Sequence, residues 1–134
     1  MKITYYRVEK QKIVNTLKKE LSELEEVKVA ILFGSILRDS HVRDIDVAVY
    51  TVPKFTLKRL LLLASKLEEK LNIPVDLVPL DELSPKMQYN ILCNGEPIIV
   101  RDKMLYEGLI AQALGQIHDM KIKYRTCNNF KNQS

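Results

Sequence analysis

Two aspartates separated by one residue, Asp44-Ile45-Asp46, open a run in which Ile45, Val47 and Val49 alternate with Asp46 and Ala48. Such a run reads as a β-strand. Alternate strand residues share a face, with α-carbons roughly 6.5–7 Å apart. Two carboxylates on one face repel each other and lose hydration, so holding both there costs free energy unless a cation sits between them. Divalent magnesium is the natural occupant, because hard cations take carboxylate oxygens. The ordinary alternative is a solvated pair of strand-edge acids, since exposed aspartates are the rule.

Three neighbours strengthen the chemical reading. Gly34-Ser35 follows the apolar run Val27-Lys28-Val29-Ala30-Ile31-Leu32-Phe33. A glycine lets backbone approach a phosphate, and a helical turn starting there would aim N–H groups at it, with the serine hydroxyl as a further donor. Arg38 offers a fork of donors that suits a phosphate oxygen. Arg43 could do the same or pair with Asp44. Asp76 stands inside the otherwise apolar Val75-Asp76-Leu77-Val78, and a buried acid needs a partner or a task. If its strand lies beside that of Asp46, three carboxylates meet. Each of these residues also has a bland alternative: a turn glycine, a solvated arginine, an edge-strand acid facing water.

These residues need elements to hold them. Val14, Leu17, Leu21 and Leu24 recur at helical spacing, predicting a helix over residues 8–25. The run 27–33 predicts a buried strand and residues 45–50 a second, with 34–43 as the connection. Residues 56–72 give the clearest helix, capped by Thr56, with Leu57, Leu60, Leu61, Ala64, Leu67 and Leu71 as its apolar face. A third strand runs over 74–80, with Pro79 ending its pairing or placing it near an edge. Ser84-Pro85 reads as a cap followed by proline at the first helical position, and Asn94-Gly95 closes that helix. A short fourth strand covers 97–101. Asp102 caps a last helix to about Tyr124, with Leu105, Leu109, Ala113, Ile117 and Met120 on one face. The short link between the first two strands makes them antiparallel. The expected fold is α+β: a mixed sheet of about four strands with flanking helices on at least one face.

At 134 residues the chain suits one domain with its own core, expected over 1–124, followed by a basic, flexible tail over 125–134. The net charge is +4, yet every acid lies at or before Asp119, while Lys121, Lys123, Arg125 and Lys131 follow. The excess therefore belongs to the C-terminal segment, which could touch nucleic acid or an acidic partner or simply fray in solvent. No apolar run is long enough to span a bilayer, and the N-terminus lacks a secretory apolar region, so a cytoplasmic protein is expected. Cys93 and Cys127 lie far apart in the sequence, and reduced thiols are the default there. Neither they nor His41 and His118 make a zinc-ligand pattern.

Taken in order, Leu32-Phe33-Gly34-Ser35-Ile36-Leu37-Arg38, Asp44-Ile45-Asp46-Val47-Ala48-Val49 and Val75-Asp76-Leu77-Val78 resemble the minimal nucleotidyltransferases of the DNA polymerase β-like superfamily. The resemblance covers roughly residues 10–101. It implies that Gly34 and Ser35 hold the phosphates of a nucleoside triphosphate, beside which Arg38, by its own donor fork, is a candidate phosphate ligand. It implies that Asp44 and Asp46 ligate two Mg2+ ions, and that Asp76 ligates one of them and helps activate the attacking hydroxyl. The implied reaction is in-line attack on the α-phosphorus with pyrophosphate leaving, the two-metal chemistry of such transferases. The chain departs from the family pattern at three points. Eight residues, Ile36 to Arg43, separate Gly-Ser from the first aspartate where ten are usual. Asp39 stands where a glycine is common, and Arg43 where a serine is.

Similar minimal proteins are commonly antitoxins whose partner is a helical HEPN toxin, and by that resemblance this chain transfers AMP from ATP to a partner tyrosine. Two other readings compete. In one, the site is vestigial and the protein neutralises its partner by contact alone, docking through the final helix and basic tail. In the other, the nucleotide goes to a small molecule or to RNA. With little spare length for an acceptor pocket, a partner protein or a homo-oligomer would complete the site.

Overall fold

In the computed structural model, residues 4–117 and Cys127 are described. The elements run β1 (Tyr6–Arg7), α1 (Lys10–Ser22), β2 (Val27–Phe33), β3 (His41–Val42), β4 (Ile45–Thr51), α2 (Leu57–Leu71), β5 (Val75–Pro79), α3 (Pro85–Asn94), β6 (Glu96–Val100) and α4 (Lys103–Gly115). Three helix starts follow from local chemistry. Thr56 Oγ1 accepts from the Arg59 N–H (3.2 Å), Ser84 Oγ from the Met87 N–H (3.2 Å), and Asp102 Oδ1 from the Met104 N–H (2.9 Å). Each side chain satisfies a backbone donor that the first helical turn leaves open.

The main sheet has the order β5-β4-β2-β6. β2 pairs antiparallel with both β4 and β6, whereas β4 and β5 are parallel, as α2 crosses over between them. β5 is an edge strand, which fits Pro79 at its end. Helices cover both faces. On one, α1 and α2 pack over Ala30 and Leu32 of β2 and Ile45, Val47 and Val49 of β4. On the other, α3 and α4 pack over Val29, Ile31 and Ala48. The two central strands are thus buried on both sides, which is why β2 reads as a continuous apolar run. The Tyr106 hydroxyl donates to the buried Leu92 carbonyl, tying α4 to α3.

Four expectations change. A small ladder, β1 with β3, was not evident, since two-residue strands carry no periodicity. In α2, Leu57 and Leu61 are 72% and 60% exposed, while Leu63 turns inward. Four successive leucines, Leu60 to Leu63, leave the phase of the helix ambiguous until tertiary packing chooses it. In α4, Tyr106 and Ile110 join Leu109 and Ala113 in the core. Finally, Cys93 and Cys127 are not separate thiols. They form a disulfide with α-carbons 4.7 Å apart, within the span a disulfide needs. Their sequence separation of 34 says nothing about this closeness in space. The bond is the one observation that runs against a cytoplasmic location, where thiols are normally kept reduced. Among the described residues, no helix is long and apolar enough to cross a membrane. The last helix, expected to about Tyr124, ends instead at Gly115, with Gln116 as its cap; the basic tail, Cys127 aside, lies outside the described residues.

Candidate active site

β4 starts where α1 and α2 cover one face of the sheet, and Ile45 points into that core with no exposed surface. Alternation therefore turns Asp44 and Asp46 to the opposite face. The parallel register sets Ile45 against Val75 and Asp46 against Asp76, so Asp76 shares this face one strand over, where it is exposed on the edge strand and not buried as its apolar neighbours suggested. Two contacts fix that register. The Ile45 N–H donates to the Pro74 carbonyl (2.8 Å), and the Val75 N–H donates to Glu68 Oε1 at the end of α2 (2.9 Å).

The three carboxylates act on one another. Asp46 is half-buried, and its pKa is pushed up to about 6, first by loss of hydration, then by the charges of Asp44 and Asp76 and by a side-chain hydrogen bond with Asp44. Among the described residues, no ion pair engages Asp44, Asp46, Asp76, Arg38 or Arg43. Arg43 does not neutralise Asp44. The cluster is therefore an uncompensated concentration of negative charge, the donor set a divalent cation would relieve. Among the described residues, no three acidic, histidine or cysteine side chains are drawn into a closed cage.

Gly34 links this cluster to the neighbouring cleft. It has φ 89°, and a Cβ there would stand 2.4 Å from Asp46 Oδ2. Any side chain there is strained by the backbone conformation and would push the Asp46 carboxylate aside. The expected helical turn begins at Ser35 as a 3-10 turn, Ser35–Leu37, whose Ser35 carbonyl accepts from the Arg38 and Asp39 N–H groups (2.9 and 2.8 Å). Arg38 follows the turn, exposed, on the wall of a cleft of about 380 Å³ formed by Phe33, Gly34, Leu37, Arg38 and the α3 end at Asn90, Ile91, Asn94 and Gly95. Ser35 and Asp39 do not line it. The structure thus groups Asp44, Asp46 and Asp76 on one face and Gly34 with Arg38 in the cleft, Gly34 touching both.

The α3 wall was missed by sequence reading. Asn90 and Asn94 sit one helical turn apart, and the Asn94 amide donates to Asn90 Oδ1 (2.8 Å). Their i, i+4 spacing was visible, but nothing local says that α3 ends beside Gly34. Gly95 closes α3 for a reason other than a left-handed cap. Its φ of −73° is ordinary, but a Cβ would meet Ile31 Cγ2 at 2.4 Å and the Ile91 carbonyl oxygen at 2.6 Å.

The shortened connection is held in place. His41 and Val42 pair with Arg7 and Tyr6, and the Val8 N–H donates to the Ser40 carbonyl (2.8 Å). Val42 is buried. The N-terminal strand thus anchors the segment between Ser35 and Asp44.

The sequence profile of the polymerase beta nucleotidyltransferase family matches residues 12–104, a span that takes in the three carboxylates, Gly34 and the whole main sheet. The chain belongs to that family. The mixed sheet with its flanking helices is the nucleotidyltransferase fold. Among solved structures similar to this nucleotidyltransferase, a toxin–antitoxin with AMP-PNP is 25% identical with a TM-score of 0.67, over 76% of this chain and 84% of that one. A complex of MNT antitoxin with tri-AMPylated HEPN toxin from Shewanella oneidensis gives 24% identity and a TM-score of 0.66, over 80% and 85% of the two chains. The toxin–antitoxin MntA–HepT gives 24% and 0.64, over 78% and 84%. Comparison with curated protein sequences finds no match.

Proposed function

We propose that this chain transfers AMP from ATP to a hydroxyl of a partner protein, a helical toxin of the HEPN class, and thereby acts as its antitoxin. The observation that carries the reading is the meeting of Asp44, Asp46 and Asp76 on one sheet face beside Gly34. The similarity to a toxin–antitoxin with AMP-PNP and to a complex with an AMPylated HEPN toxin supports the choice of nucleotide, acceptor and partner.

In this reading Gly34 and Ser35 receive the phosphates. Gly34 does so because its missing side chain lets the backbone lie against the carboxylates. Arg38, on the cleft wall, adds a charged donor for the phosphate chain. Asp44 and Asp46 would hold two Mg2+ ions, with Asp76 as a further ligand to one; such ions, when bound, would supply charge neutralisation at the triphosphate and at the entering and leaving oxygens. The acceptor oxygen attacks the α-phosphorus as its proton passes to the Asp76 carboxylate. The bond to the bridging oxygen breaks, and pyrophosphate leaves. The chain's own part is positioning and charge. The expected place of action is the cytoplasm, where the Cys93–Cys127 pair would be kept reduced.

The test is incubation with labelled ATP, Mg2+ and the cognate partner. Wild-type protein should label the partner, and Asp44→Ala/Asp46→Ala should not. Equal labelling by both would end the proposal. Neutralisation by contact alone is the second reading, favoured by the connection of only eight residues between Ser35 and Asp44. In that case the double variant still silences the partner, and no label is transferred.

A further inference from the structure

The outer face of α2 has no use within the fold. Leu57, Leu61 and Leu62 are 72%, 60% and 62% exposed on it. An amphipathic helix packed on a sheet normally turns such residues inward. The face is also ordered in charge. Lys58, Leu62, Ser65 and Glu69 follow one another at spacings of four, three and four residues, so they form a single seam along the exposed side. All four are exposed. The other basic residues of α2 are engaged sideways: Arg59 with Glu26 (2.6 Å), and Lys66 and Lys70 with Glu20 of α1 (3.7 and 3.9 Å). Among the described residues, Lys58 and Glu69 are in no ion pair.

We propose that this face is the two-fold interface of a homodimer, with α2 packed antiparallel against α2 of a second copy. The seam is its own complement. Lys58 and Glu69 lie equally far from the midpoint between Leu63 and Ala64, so a two-fold axis there sets each Lys58 opposite the other copy's Glu69. The same axis sets Leu62 opposite Ser65, a large residue facing a small one as close helix packing requires. It also lays Leu61 against the aliphatic stem of Lys66. A parallel pairing would oppose lysine to lysine and glutamate to glutamate, which is unfavourable. An isologous interface requires self-complementarity of this kind, and an unrelated partner gives no reason for it. α2 covers the sheet face of Ile45, Val47 and Val49, opposite to the carboxylates, so both sites of the dimer stay open.

Sedimentation velocity of the full chain over a concentration series tests this. The wild type should pass from monomer to dimer. Leu62→Glu should stay monomeric with an unchanged far-UV circular dichroism spectrum, since the residue is exposed. Lys58→Glu or Glu69→Lys alone places two like-charge pairs across the axis and should raise the dissociation constant about tenfold. The double swap Lys58→Glu/Glu69→Lys should recover most of the wild-type affinity. A wild type that remains monomeric throughout overturns the proposal, even if Leu62→Glu then impairs binding to a different protein. So does a dimer that survives Leu62→Glu, or one for which the double swap is no better than the single reversals.

Discussion

Gly34 and Asp46 stand so close that a Cβ on the glycine would lie 2.4 Å from Asp46 Oδ2. The turn at Gly34-Ser35 and the carboxylate cluster are therefore one unit, joined by the absence of a side chain. Gly34→Ala should disturb both. The backbone at φ 89°, ψ −157° is a region open almost only to glycine and costs another residue roughly 1–3 kcal/mol, and the displaced Asp46 should reduce AMP transfer on the order of 100-fold. Thermal unfolding and transfer kinetics measure the two effects. A variant with wild-type rate would show that the contact is irrelevant to catalysis.

Asp46 makes stability depend on pH. Its carboxyl titrates near 6 in the fold, against 3.8 ordinarily, so between those values the folded state binds more protons than the unfolded one. Stability from this group is full below pH 3.8 and is lost as pH rises through 6. Asp46→Asn removes the penalty. In the presence of a chelator the variant should melt above the wild type at pH 7–8, with the difference shrinking toward pH 4. It should also be inactive in transfer. Equal melting temperatures at pH 8 would contradict the electrostatic account.

Glu68 acts at a distance from the cluster. Its carboxylate accepts from the Val75 N–H (2.9 Å) and so holds the start of β5, which carries Asp76. Glu68→Ala should cost about 1.5–3 kcal/mol, the range for a hydrogen bond to a charged group, and slow transfer. Glu68→Gln keeps an acceptor and should recover much of both. Urea denaturation beside a rate assay separates this positioning effect from simple unfolding, because the Gln variant should restore the rate.

The Cys93–Cys127 bond closes a loop across α3, β6 and α4. From the 34-residue separation, the chain-entropy argument gives it about 3–4 kcal/mol. Dithiothreitol should lower the denaturation midpoint of the wild type accordingly and leave Cys93→Ala/Cys127→Ala unaffected. A wild type indifferent to reductant would show that the two thiols are not bonded in solution.

The sequence by itself determined most of the elements and singled out the candidate site residues. Thr56, Ser84-Pro85 and Asp102 marked helix starts through hydrogen bonds made within three residues. The alternation of Ile45, Val47 and Val49 put Asp44 and Asp46 on a common face. These signals are local, so they survive in one dimension. Tertiary structure alone decided that β5 lies parallel beside β4 and so brings Asp76 level with Asp46. It also decided that the end of α3 walls the cleft at Gly34, that α2 turns Leu63 rather than Leu61 inward, and that Cys93 meets Cys127. Each of these depends on which surfaces pack together across long stretches of chain. Periodicity and capping carry no information about that, because burial is settled by the whole core at once.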